Sequence, residues 1–133
     1  MIQVSEAETF AKIVPASRDA RIGQEFGVEL RVCVDHRLRW RPVAMPVFIP
    51  EGFICDDVSE PSEESWTIDG AVYDALLFGT KLIPIKPGLQ TLGPLIFPYD
   101  VKKPDGNDSG SEASRPIEHR KIHAPFEMID VKP

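Results

Sequence analysis

The segment Glu25–Asp35, EFGVELRVCVD, constrains the fold more than any other part of the chain. Apolar residues alternate with mostly polar ones along its whole length, which is the period of a β-strand with one apolar face. A helix would need apolar residues three and four positions apart, and this segment does not offer them. The pattern therefore predicts a strand whose core face carries Phe26, Val28, Leu30, Val32 and Val34.

Prolines indicate that the rest of the chain is also built from strands. The 133 residues include 13 prolines, and proline breaks helices but is tolerated at strand edges, strand starts and bulges. Thr9–Val14 is predicted to be a strand, and Pro42–Phe53 an edge strand or a broken strand. Asp69-Gly70 predicts a hairpin turn, and Tyr73–Ile85 follows as a long strand with a possible break at Gly79.

The remaining turn residues complete the predicted fold. Lys86–Gly88 is a turn that leads into Leu89–Phe97, with Gly93-Pro94 as a bulge or bend, and APFEMIDVKP forms the last strand. We predict an all-β, antiparallel, immunoglobulin-like β-sandwich of about seven or eight strands. We predict a single domain over residues 1–133, with a mobile loop at 102–115 that is rich in Gly, Ser, Asp and Glu.

Charge and the length of apolar runs limit the partners that the chain can have. The formal net charge of -6 repels phosphate backbones and anionic lipid, so nucleic acid is not an expected partner. No apolar run is long enough to span a membrane, so no direct membrane insertion by this segment is expected.

Cys33 lies on the face of its predicted strand opposite the apolar face. Two free thiols are the expectation, and a Cys33–Cys55 disulfide is the alternative.

The sequence carries no motif for catalysis. It has no Gly-x-Ser-x-Gly elbow and no local signature of a catalytic cysteine, so we predict no enzyme, no catalytic residue and no cofactor. His119 and His123 have the spacing of metal ligands on a helix, but in a strand they would stand about 13 Å apart. We therefore predict two solvated histidines and no metal. The acidic run at 56–64 is predicted to be a solvated loop, since it lacks the Asp-x-Asp-x-Asp-Gly pattern of calcium loops.

The stretch RLRWRP places three arginines around a tryptophan in an otherwise acidic chain. Arg and Trp are the residues that dominate binding hot spots. One hypothesis is therefore a contact patch for an acidic partner or a peptide. The alternative, which we favour, is that the tryptophan packs in the core while the arginines are solvated. The candidate contact residues are Arg37, Arg39, Trp40 and Arg41.

The order of these motifs resembles the BatD family of bacterial aerotolerance, or oxygen-tolerance, proteins. In that family a Gly, Glu and Phe open a strand, an Ile-Asn/Asp-Gly hairpin follows, and a Leu-x-Pro-x-Lys-Pro-Gly turn leads into a further strand. The resemblance covers roughly residues 13–101. The matching residues are Gly23, Glu25 and Phe26; Ile68, Asp69 and Gly70; Leu82, Pro84, Lys86, Pro87 and Gly88; and Thr91, Leu92, Gly93 and Pro94.

The resemblance implies a function of recognition rather than of catalysis. It implies a non-catalytic interaction module of an exported, membrane-anchored periplasmic protein linked to stress or oxygen tolerance. Its implied partners are proteins with von Willebrand factor A domains and a MoxR-type ATPase system. Recognition would use loops at one end or an exposed strand edge. The alternatives are a carbohydrate-binding module, an enzyme of unfamiliar type, and a cytoplasmic location.

Overall fold

The chain folds entirely into strands in the part that the structure describes. The computed structural model describes residues 9–102 and 116–133, and no helix occurs there. The strands are β1 (Phe10–Pro15), β2 (Asp19–Arg21), β3 (Phe26–Asp35), β4 (Arg39–Pro42), β5 (Val47–Phe48), β6 (Phe53–Cys55), β7 (Ser62–Ile68), β8 (Ala71–Pro84), β9 (Gly88–Leu92), β10 (Leu95–Lys102), β11 (Ile117–His123) and β12 (Glu127–Lys132). The all-β prediction is confirmed.

These strands form three sheets. Sheet 1 has the order β1-β3-β8-β6, and β7 also pairs with β8. Sheet 2 has the order β11-β10-β4, with β5 also on β10, and sheet 3 has the order β2-β12-β9. All pairs are antiparallel except β2 with β12, which is parallel. The predicted count of seven or eight strands is too low because prolines and bends cut the chain into short pieces, of which β5 has only two residues.

One apolar cluster joins the three sheets into a β-sandwich. It contains Leu30 of sheet 1, Phe97 of sheet 2 and Ile129 of sheet 3, each fully buried. The ring of Phe97 lies 6.1 Å from the ring of Phe78 on β8, so aromatic contacts connect sheet 2 with sheet 1. The predicted core face of β3 is confirmed, because its alternate residues from Val28 onward belong to this cluster. The immunoglobulin-like arrangement remains a prediction.

The chain bends at only one of the two glycines where the sequence predicts a break or a bend. The predicted break at Gly79 is wrong: β8 continues through it, since Gly79 stays paired with Glu29 of β3 and its N–H donates to Ser59 Oγ at 2.9 Å. The predicted bend at Gly93-Pro94 is confirmed, and it also moves the chain from sheet 3 to sheet 2. A Cβ on Gly93 would stand 2.5 Å from the ring of Phe126, so only glycine fits there.

The predicted loop at 102–115 begins later than expected. Lys102 is the last residue of β10, where it pairs with Ile117 of β11, and the rest of that loop lies outside the described residues. Strand β11 itself was not predicted, because only Ile122 of its residues is buried and an alternating apolar pattern is missing. Among the described residues, no helix is long and apolar enough to cross a membrane.

Candidate functional site

Trp40 of the arginine–tryptophan stretch is a packing residue. Strand β4 turns its indole ring towards the core, where it lies 6.4 Å from the ring of Phe97 and 6.5 Å from that of Tyr99. Its Nε1 donates a hydrogen bond of 2.9 Å to Asp74 Oδ2. The ring is half-buried, which agrees with the packing interpretation of Trp40.

Arg37 stands apart from the two arginines of β4. It lies in the turn after β3, and its side chain binds the buried carboxylate of Asp35, with Nη2 2.9 Å from Oδ2. The backbone N–H of Arg37 also donates to Asp35 Oδ1 at 3.0 Å. These bonds give Arg37 a structural role at the end of β3, so Arg39 and Arg41 are the candidate residues that remain on the outer surface of β4.

Arg39 and Arg41 join residues from two other strands on the outer surface of sheet 2. Because Trp40 faces inward, its neighbours on β4 face outward. The register places Arg41 beside Asp100 and Arg39 beside Lys102 on β10. It also places Lys121 of β11 on the same side of the sheet, opposite Pro98. We call this surface the basic face, defined by Arg39, Arg41, Lys102 and Lys121.

Asp100 is the acidic residue at the centre of the basic face. It is 8% exposed, and its Oδ1 lies 2.5 Å from His119 Nδ1 on β11. Its Oδ2 lies 3.9 Å from Nη2 of Arg41. This carboxylate on β10 therefore contacts side chains from both neighbouring strands, His119 on β11 and Arg41 on β4.

A shallow depression of about 270 Å³ opens on the basic face. It is lined by Arg39, Trp40, Arg41, Asp100, Lys102 and Ile117. Ile117 is 45% exposed, so an apolar surface lies among the cations. Arginine and lysine bind carboxylates through charge-assisted hydrogen bonds, and the depression can hold an apolar side chain beside them.

Acidic residues collect elsewhere, along the β6–β7 side of sheet 1. No Lys, Arg or His stands between Arg41 and Lys81 in the sequence, whereas the acidic run at 56–64 falls in this interval. The run is not wholly a loop as predicted, because its end forms β7. The basic face therefore exists despite the net charge of -6.

The histidines and cysteines contribute no constellation of metal ligands. His119 and His123 both lie on the extended strand β11 and are exposed. Within residues 9–102 and 116–133, no group of three or more His, Cys, Asp or Glu side chains is arranged to hold a metal ion. Cys33 and Cys55 are both free thiols. They lie beside residues near opposite ends of β8, and Cys33 pairs with Ala75.

Asp35 gives the fold a measurable dependence on pH. Its hydrogen bond with the Arg37 side chain lowers the pKa of Asp35 below the ordinary value of 3.8, although burial opposes this. A carboxyl group whose pKa is lower in the folded chain than in the unfolded chain stabilises the fold at a pH above its unfolded pKa. That stabilisation is lost as the pH falls through its folded pKa. We expect Asp35→Asn to reduce the free energy of unfolding at about pH 7 and to flatten its decline below about pH 4. Denaturant unfolding at a series of pH values checks this, and an unchanged slope in the variant would contradict it.

The sequence pointed to Arg39 and Arg41 but missed Asp100, Lys102 and Lys121. These residues come from strands that follow much later in the chain, and only the register of β4, β10 and β11 brings them together. No protein-family model matches the chain. Comparisons with the curated proteins and with the solved structures also gave no significant match.

Proposed function

We propose that this chain is a non-catalytic protein-interaction module that binds an acidic segment of a partner protein on its basic face. The observation that carries the proposal is the meeting of Arg39, Arg41, Lys102 and Lys121 on one exposed sheet surface. A Debye length of about 8 Å at physiological salt makes this local charge more important to a docked segment than the distant acidic residues. The neighbouring depression accommodates an apolar side chain of the same segment.

The motif resemblance to the BatD family supports a more specific version of the proposal. In that version the module is immunoglobulin-like, exported and tethered to a membrane, and it serves stress or oxygen tolerance. Its partners would be proteins with von Willebrand factor A domains that work with a MoxR-type ATPase.

The side-chain arrangement favours binding over the two rival functions. The hydrogen bonds of His36 and His119 go to carboxylates and not to a hydroxyl or thiol nucleophile. A carbohydrate-binding module needs aromatic rings exposed along one face, whereas Tyr73 and Tyr99 are buried. Trp40 and Trp66 are each half-buried, so these four rings provide no open platform for a sugar.

A synthetic peptide rich in Glu with one central Leu tests the proposed binding. We expect fluorescence anisotropy to show binding at low salt, and a weakening of at least about tenfold when the salt rises to about 0.5 M, because exposed charges are then screened. A peptide with Gln in place of Glu is the matched control and should not bind. Equal binding of both peptides would contradict the proposal. Tighter binding of a DNA oligonucleotide or of anionic vesicles would contradict the assignment of a protein partner.

A further inference from the structure

Strand β7 forms a free edge of sheet 1. It pairs with β8 along its full length, from Ser62 beside Leu77 to Ile68 beside Ala71. Among the described residues, no strand pairs with its other side. All its residues are exposed except Trp66, which is half-buried. A regular edge of seven residues is long enough to template another strand.

The hairpin turn determines which backbone groups of β7 are unpaired. Asp69 and Gly70 form a two-residue turn with φ values of 49° and 81°, which is the conformation of a type I′ turn. The pair that flanks such a turn is hydrogen-bonded, and bonded pairs then alternate along the strands. The N–H and C=O groups of Glu63, Ser65 and Thr67 therefore point away from β8, towards the free edge.

The opposite layer of the sandwich has an edge that is blocked against pairing. The N–H of Val43, beside the end of β4, donates to the Pro98 carbonyl of β10, so the nitrogen of Pro42 faces away from β10. Proline carries no N–H, and Pro46 and Pro50 follow at the same spacing. Prolines on an edge prevent the addition of a strand. Strand β7 contains no proline, so its edge keeps all the donors that a new strand requires.

The charge along β7 restricts the kind of strand that fits. Three glutamates lie on or beside β7: Glu60, Glu63 and Glu64. Two aspartates, Asp56 and Asp57, follow β6 and lie on the same side of β8 as β7. Across residues 9–102 and 116–133, none of these five carboxylates forms an ion pair with another described residue. A second copy of β7 would bring further carboxylates to an edge that is already acidic, which is unfavourable. A segment with basic residues would instead compensate the unpaired carboxylates.

The outer surface of β7 is held in a fixed arrangement. Trp66 Nε1 donates a hydrogen bond of 2.6 Å to Glu64 Oε2, and the guanidinium of Arg31 lies 5.4 Å from the centre of the Trp66 ring. These contacts order the side chains on this surface before a partner arrives. Less conformational freedom is then lost on binding, which favours affinity.

We propose that the free edge of β7 accepts an extended basic segment of a partner protein as an added strand of sheet 1. The backbone of Glu63, Ser65 and Thr67 supplies the hydrogen bonds, and the carboxylates of Glu63 and Glu64 select Lys or Arg in the incoming segment. This site is separate from the basic face, and it takes a segment of opposite charge.

The test uses the full chain and a synthetic nine-residue peptide of alternating Lys and Val as probe. We expect hydrogen exchange at the amides of Glu63, Ser65 and Thr67 to slow at least about tenfold on saturation with the peptide, since each becomes hydrogen-bonded. Ser65→Pro removes one edge-facing donor without removing a bond to β8. We expect it to weaken peptide binding at least about tenfold, a change equivalent to about 1.4 kcal/mol. Ser65→Ala, which keeps the donor, should bind as the unchanged chain does.

Modified peptides separate strand addition from simple charge attraction and do not depend on the folding of a variant. Two peptides are N-methylated at every second residue, one at the odd-numbered and the other at the even-numbered positions. Methylation of the N–H groups that face β7 should abolish binding, whereas methylation of those that face away should leave binding intact. Equal affinity of both methylated peptides and the parent peptide would overturn the proposal. Slowed exchange at a surface other than β7 would also overturn it. Neither result bears on the acidic peptide that tests the basic face, so the two proposals fail separately.

Discussion

Phe97→Ala is expected to lower the free energy of unfolding by about 3–5 kcal/mol, the usual loss for a buried aromatic residue replaced by alanine. Phe97 is fully buried, and its ring contacts the rings of Trp40, Phe78 and Tyr99 at 6.1–6.4 Å. Two of these partners belong to sheet 2 and one to sheet 1. The substitution therefore removes apolar contact within one layer and between the layers, and it leaves a cavity at their junction.

Phe126→Ala is the matched control for this experiment. It deletes the same atoms from a residue that is 59% exposed, so we expect a loss of less than about 1 kcal/mol. Urea unfolding of both variants, followed by tryptophan fluorescence, measures the difference. Equal losses for the two variants would contradict the description of Phe97 as the centre of a single core shared by the sheets.

Local patterns in the sequence were sufficient to predict the class of fold. The alternation in β3 identified a strand and its buried face, and Asp69-Gly70 identified the hairpin between β7 and β8. Both are short-range features, since the side-chain period and the turn conformation are set by neighbouring residues. The bend at Gly93-Pro94 was also visible for this reason.

The arrangement of strands into sheets could not be predicted in the same way. The transfer of the chain from β9 in sheet 3 to β10 in sheet 2 depends on which strands pair, and each sheet joins strands that lie far apart in the sequence. Strand β11 carries mostly polar residues and owes its extended form to pairing with β10. The partners of Arg39 and Arg41 on the basic face depend on the same pairing, so the sequence revealed only one of its three strands.

The double substitution Arg41→Glu with Lys121→Glu is expected to weaken binding of the Glu-rich peptide about 10- to 100-fold at low salt. The two side chains belong to β4 and β11, on either side of β10. Reversal therefore places negative charge at both sides of the docked peptide. The side chain of Arg41 is 69% exposed, so the substitution exchanges surface charge without opening the core, and a change in thermal stability of less than about 1 kcal/mol is expected.

The pair Lys81→Glu with Lys86→Glu controls for the change in net charge. It alters the charge of the whole chain by the same amount, but Lys81 lies on β8 of sheet 1 and Lys86 in the turn before β9. Repulsion of the peptide by the chain as a whole would weaken binding equally in both double variants. If the basic face itself binds the peptide, binding should weaken mainly in Arg41→Glu with Lys121→Glu.

The most direct test of the account is therefore a titration of the Glu-rich peptide into the unchanged chain and both double variants at one low salt concentration. We expect the affinity to fall at least about tenfold for Arg41→Glu with Lys121→Glu. We expect a change of less than about threefold for Lys81→Glu with Lys86→Glu. Equal affinities for the two double variants, with both proteins folded, would contradict the assignment of the basic face as the interaction surface.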